Sequence, residues 1–324
     1  MASIETAAPR GTTFSETFDR IVANVERVIQ GKREVIELML LCLVSDGHLL
    51  LEDVPGVGKT NLAKSLATSI ECSFGRVQFT PDLLPSDVVG LTVWNRGANT
   101  FEFRPGPIFN NVVLADEINR ASPKTQAALL EAMAEGQVTV DGATYPLAPP
   151  FMVIATQNPI EHEGTYPLPE SQLDRFLMRV SVGYPSPAAE LEILDTHGDH
   201  DPLREIEPVV TKADVQRMSA ASRKVHVAPS LKQYLVELAQ ATRRSTHLAL
   251  GISPRATLAL QRVARARAAS QGRGYVVPDD IKALAVPVLA HRLVVTPEAQ
   301  LQGVAPADVL AEVLRAVPVP TGGR

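Results

Sequence analysis

Cysteine is scarce: the 324 residues contain only Cys42 and Cys72. Two thiols build neither a disulfide framework nor a cysteine-based metal site. They suit a reducing compartment, and both read as small buried hydrophobes. Long apolar runs are also missing. No stretch reaches the roughly 18 residues of a membrane span; the longest, Val35 to Val44, is broken by Glu37 and reads as a buried helix. Met1 to Ser15 is polar, carries both charge signs and lacks the apolar centre of a secretory leader. The expectation is a cytoplasmic chain without membrane insertion. There is no internal repeat, and no Ser-His-Asp or Cys-His grouping points to a covalent nucleophile. Nor is positive charge in excess. A net charge of −5 and an isoelectric point near 5.8 argue against a broad nucleic-acid footprint, though not against a local one.

What is present is a 45% hydrophobic content, ample for a large core, organised around one stretch. Leu49-Leu50-Leu51-Glu52 is an apolar run. It breaks into Asp53-Val54-Pro55-Gly56-Val57-Gly58-Lys59-Thr60-Asn61, after which Leu62, Ala63, Leu66 and Ala67 recur at helical spacing. That is strand, loop, helix. Such a loop points successive backbone N–H groups at an anion, and the helix N-terminus adds favourable partial charge. Lys59 can then reach the β- and γ-phosphates of a nucleotide, and the Thr60 hydroxyl can ligate Mg²⁺. The pattern G-x-x-x-x-G-K-[ST] is met except at its first glycine, where Asp53 stands. Asp tolerates positive φ, so the turn survives. Its charge beside phosphate is expected to weaken nucleotide affinity. An ordinary Gly-rich turn is the alternative reading.

Strands and helices alternate up to Tyr184-Pro185-Ser186-Pro187, which implies a parallel sheet covered on both faces. Two hairpins interrupt it: Leu91–Trp94 with Thr100–Phe103, and Gln137–Val140 with Ala143–Leu147 across Asp141-Gly142. Beyond Ser186 nearly everything reads as helix, beginning with Ala188 to Thr196. The expected organisation is a disordered tail over 1–14, an α/β core over 15–185 and an all-α domain over 186–324.

Val112-Val113-Leu114-Ala115 ends in Asp116-Glu117. One acid at such a strand tip can hold Mg²⁺, and the next can orient and deprotonate an attacking water. Asn158, just past the strand Phe151–Thr156, suits either a contact to the γ-phosphate or a turn before Pro159. Arg175 suits either phosphate binding or a surface ion pair with Asp174 or Glu170. Arg262, Arg265, Arg267 and Arg273 form a basic run that reads as a solvated helix face or a subunit contact. His197-Gly198-Asp199-His200-Asp201 is a weak candidate metal cluster.

Leu114-Ala115-Asp116-Glu117-Ile118-Asn119-Arg120-Ala121, Pro123-Lys124-Thr125-Gln126, the block Glu161–Gly164 with Leu168–Phe176, and Gly251-Ile252-Ser253-Pro254-Arg255-Ala256 together resemble the MoxR-type AAA+ ATPases. The resemblance spans about residues 18–293. It implies a P-loop NTPase core with a helical lid, binding ATP and Mg²⁺ and working as a hexameric ring. Lys59 and Thr60 become Walker A, Asp116 and Glu117 Walker B, and Asn158 sensor 1. Arg255 becomes a lid residue touching the γ-phosphate. Arg175, or second Arg120, becomes the finger acting on a neighbouring subunit's ATP. The hairpins become the helix-2 and pre-sensor-1 inserts. The implied role is chaperone-like maturation of client complexes, often with a von Willebrand factor A (VWA) domain partner. Asp53 departs from the family's usual glycine. Rival readings are a nucleic-acid motor, a magnesium-chelatase-like subunit and a non-hydrolysing nucleotide switch.

Overall fold

The computed structural model describes residues 13–54, 56–158, 164–188, 190–191 and 202–320. Pro55, the metal candidate at 197–201 and most of the expected helix Ala188–Thr196 lie outside them, as do residues 161–163 and 1–12. Helix α1 (Phe14–Glu26) begins where the sequence reading still has tail. Thr13 caps it, accepting from Glu16 N while the Glu16 carboxylate accepts from Thr13 N. The helix ends at Glu26, and the N–H groups of Val28 and Ile29 both fold back onto Val25 O. Helix α2 (Arg33–Val44) follows.

Five parallel strands form the central sheet: β1 (Leu49–Glu52), β2 (Phe74–Gln78), β5 (Val112–Asp116), β8 (Met152–Gln157) and β9 (Met178–Val180), in the order β2-β5-β8-β1-β9. Helix α3 (Lys59–Ser69) follows β1, α4 (Pro85–Val89) follows β2 and α5 (Pro123–Glu135) follows β5. Alternate residues of each central strand enter different cores. Leu49, Leu51, Val112, Leu114, Met152 and Ile154 face α1, α2, α3 and the lid. Leu50, Val113, Ala115, Val153 and Ala155 face α5 and the hairpins. Both faces being apolar explains why these strands read as continuous hydrophobic runs.

The inserts are the hairpins β3 (Gly90–Asn95) with β4 (Thr100–Pro105), and β6 (Gln137–Val140) with β7 (Ala143–Pro146). Asp141 and Gly142 both take positive φ, +50° and +79°, as a two-residue primed turn requires. Phe103 of β4 stacks on Tyr145 of β7 with centroids 4.0 Å apart, joining the two hairpins. After a short helix α6 (Glu170–Leu173) and β9, the lid comprises the helices Lys212–Ser222, Pro229–Arg244, Pro254–Ser270, Pro278–Leu289, Pro297–Leu301 and Pro306–Ala316. It also holds an antiparallel ribbon, Leu248–Leu250 with Val294–Val295, that the sequence reading lacks. Strands of two and three residues leave no alternation to detect. Lid and core share one continuous apolar cluster. Cys42 is buried and Cys72 only partly so, against the expectation for the latter; burial raises the Cys72 thiol to about 11.

Two buried histidines pin the sheet to its surroundings. His48 accepts from Val153 N at Nδ1, so its Nε2–H donates to Met133 O, both at 3.0 Å. His291 Nε2 lies 3.1 Å from Phe176 O. Burial lowers their pKa values to about 4 and about 3. The unfolded chain binds these protons near 6.5, so stability is fully present above that pH and is lost as the pH falls toward the folded values. Each histidine is expected to withdraw about 2 kcal/mol between pH 7.5 and pH 5. Urea midpoints at the two pH values check this, and His291→Leu should flatten the difference by about 2 kcal/mol.

Candidate functional site

The polar site residues emerge where buried strands end. At the tip of β1 the chain turns through Gly56 and Gly58, with φ of +86° and +84°. Gly58 is the residue before α3, and no side chain caps that helix, whose N-terminus carries the favourable partial charge for an anion. Asp53 does not take positive φ; the two glycines absorb the turn. One oxygen of its carboxylate also turns out of the loop. Oδ2 accepts from Val182 N at 2.5 Å, Gly183 N at 2.7 Å and Ser181 Oγ at 3.1 Å. The positive φ expected of Asp53 and the placing of its charge beside phosphate are therefore both corrected: Asp53 offers its loop only a carbonyl, which accepts from Lys59 Nζ at 2.8 Å, and an Oδ1 that accepts from Val54 N at 3.1 Å.

At the tips of β5 and β8 a small network holds the two acids. Thr156 Oγ1 donates to Asp116 Oδ1 at 2.6 Å and accepts from Glu117 N at 2.8 Å. Arg76 donates to Asp116 Oδ2 at 2.7 Å. Gln78 and Arg120 donate to Glu117 Oε2 at 2.8 and 2.9 Å. Glu117 itself sits at φ +55°, a left-handed conformation that a non-glycine residue adopts at a cost of about 1 kcal/mol or more. The Thr156 hydroxyl and the turn Ile118–Arg120 hold it there, leaving the carboxylate facing a cavity of about 270 Å³.

That cavity brings together Gly56, Gly58, Lys59, Thr60, Asn61, Asp116, Glu117 and the buried Asn158, with Arg76 and Thr156. The Thr60 hydroxyl and the Asp116 carboxylate are hard oxygen donors on one wall, a set that suits Mg²⁺. Beside it a pocket of about 220 Å³ is lined by Val28, Ile29, Lys32, Val57, Gly183 and Pro185. Sequence reasoning missed Arg76, Gln78, Thr156 and Lys32. Arg76 and Gln78 were legible only as alternate residues on the exposed face of β2, whose alignment with Asp116 is a matter of register.

Arg255 and Arg175 do not line this cavity. Arg255 does not border the phosphate loop. It lines a third cavity, of about 500 Å³, with Arg175, Arg223, Arg262, Arg265 and Arg292. Asp174 there is paired with Arg292 at 2.7 Å and with Arg255 at 3.7 Å, while Arg175 donates to Leu130 O at 2.7 Å. Arg120 is tied to Glu117 of its own site, which disfavours it as a finger for another subunit. The basic run divides: Arg262 and Arg265 face this cavity, whereas Arg267 and Arg273 flank the buried Asp280.

Residues 48–178, which carry the whole loop-and-acid constellation, match the family described as ATPases associated with various cellular activities (AAA), and residues 240–313 match an AAA lid domain. Chaperone MoxR1 of Mycobacterium tuberculosis is 42% identical across 94% of this chain and 82% of its own length. This chain belongs to the MoxR-type AAA+ ATPases. An uncharacterized protein of Bacillus subtilis, YeaC, is 51% identical over 93% of this chain and 94% of that protein. A crystal structure of a candidate ATPase from Cytophaga hutchinsonii superposes with a TM-score of 0.89 at 39% identity, covering 95% of this MoxR-type chain and 96% of that one.

Thr156→Val keeps the volume but leaves Asp116 and Glu117 N without their shared partner. ATP turnover is expected to fall about tenfold, equivalent to ~1.4 kcal/mol. Folding stability should drop by only about 1–3 kcal/mol, read from thermal melts.

Proposed function

We propose that this chain binds ATP with Mg²⁺ between the phosphate loop and the β5 and β8 tips, hydrolyses it, and uses the cycle to mature or activate client protein complexes as part of a ring. The convergence of Lys59, Thr60, Asp116, Glu117 and Asn158 on one cavity carries the reading. The α3 N-terminus and Lys59 grip the phosphates, and the apolar pocket edged by Val28, Ile29 and Val57 takes the base. Thr60 and Asp116 hold Mg²⁺, which when bound neutralises charge on the phosphate oxygens. Glu117 orients the attacking water and accepts its proton, and Asn158 aligns that water or the γ-phosphate. Val54, Pro55 and Asn61 complete the loop's contacts.

Arg175 and Arg255 act together on a nucleotide held by a neighbouring subunit. Their sharing of a basic cavity that no residue of this chain's own phosphate loop lines supports that role, and with it the ring; by family resemblance the ring is a hexamer. The hairpins face the client. Their exposed Trp94 and Phe101, in edge-to-face contact at 4.9 Å, fit this role. A VWA-domain partner and a cytoplasmic location belong to the same proposal; no helix among the described residues is long and apolar enough to cross a membrane.

Glu117→Gln is expected to keep ATP affinity within about threefold while turnover drops by 10² or more; undiminished turnover would reject Glu117 as the base. Mixing Arg175→Ala with Lys59→Ala subunits should restore activity that neither has alone, because a mixed interface pairs one intact loop with one intact arginine. A mixture as inactive as its parents would remove Arg175 from the neighbour's site.

A further inference from the structure

Beyond β9 the chain crosses from core to lid through Ser181-Val182-Gly183-Tyr184-Pro185, and charged side chains grip this linker from two directions. From the tip of β1, Asp53 takes the N–H groups of Val182 and Gly183 and the Ser181 hydroxyl on one carboxylate oxygen. From the turn between α1 and α2, Lys32 Nζ donates to Val182 O at 2.6 Å and Tyr184 O at 2.7 Å. Four backbone polar groups of a short linker are thus satisfied by one anion and one cation. Charge-assisted bonds of this kind are about twice as strong as neutral ones. Asp53 is buried, so an N–H it releases would find little water in its place.

The clamp is also part of a pocket. Lys32, Gly183 and Pro185 line the 220 Å³ cavity that opens beside Val57 and Gly58 of the phosphate loop. Asp53 is thereby the covalent start of the phosphate loop and the hydrogen-bonded support of the opposite wall.

We propose that Asp53 and Lys32 are positioning residues for the nucleoside end of the nucleotide: they fix the core–lid linker as one wall of the base pocket and make lid placement answer to what the pocket holds. The proposal rests on the assignment of that pocket to the base. It gives the departure from glycine at position 53 a purpose, and it reverses the sign of the effect expected from the carboxylate's charge. A glycine here frees the wall rather than relieving repulsion.

Calorimetric titrations of the full chain with Mg²⁺-ATP and with inorganic tripolyphosphate separate the two ends of the ligand. For Asp53→Gly, ATP affinity should fall about tenfold while tripolyphosphate affinity stays within about twofold; in turnover KM rises and kcat holds. Asp53→Asn, whose amide oxygen still accepts both N–H groups, should recover ATP affinity to within about threefold of the native protein. Lys32→Met keeps the apolar stem, loses the ammonium and should weaken ATP alone, and it serves as the test should Asp53→Gly fail to fold. Undiminished ATP affinity in folded Asp53→Gly and Lys32→Met, or an equal loss for tripolyphosphate, overturns the clamp while leaving the base pocket standing, provided the native chain prefers ATP. A native chain that binds tripolyphosphate as tightly as ATP dismisses the base pocket, and the clamp with it.

Discussion

Burial of both faces of the central sheet is the constraint on which the site depends. A strand wrapped in apolar neighbours has room for polar side chains only at its ends, and parallel strands bring those ends to a single edge. Asp53, Asp116 and Thr156 appear just past Leu51, Ala115 and Ala155, where the strands end, with Asp53 and Thr156 still buried. Once there, each must find a partner, because a half-buried charge without one is expensive. The partners come from different elements: Arg76 from the edge strand, Ser181 and the linker amides from beyond β9, Lys59 from the helix. Precision at the edge therefore comes from the surrounding apolar packing, and the polar contacts only trim it.

Charge is distributed as unevenly as this scheme requires. The whole chain is slightly acidic, yet six arginines meet at one cavity between core and lid. Arg292 is the structural member of that group. It is buried, paired with Asp174, and donates to the carbonyls of Asp174, Phe176, Leu177 and Val288. That grip fixes the short turn carrying Arg175 to the lid, and Asp174 in that turn also pairs with Arg255, so Arg175 and Arg255 are held against the same support.

Residues 48–60 and 112–117 were readable in the sequence because strand, turn and helix signals there agree with the chemistry that follows them. The hairpins were readable because Asp141-Gly142 has few other uses. What escaped was everything set by long-range register or packing. Arg76 acquires meaning only when β2 pairs with β5 so that Gln78 lies opposite Asp116. Asp53 was misjudged because its position in a motif said which loop it began, and nothing local said which way its carboxylate turns. The sequence places Arg255 on the lid, and only the lid's apolar contact with α1 and α2 shows that it sits beside Asp174. The ribbon Leu248–Leu250 with Val294–Val295 joins segments far apart in the chain, and neither has the length to announce itself.

The stack of Phe103 on Tyr145 has a mechanical meaning. Phe109 meets both rings edge-on, at 5.5 and 6.5 Å, just before the chain enters β5. The two inserts are therefore riveted to one another and to the root of the strand that ends in the acids. While these contacts hold, a tilt at that root moves both tips together, as the stroke of a single paddle.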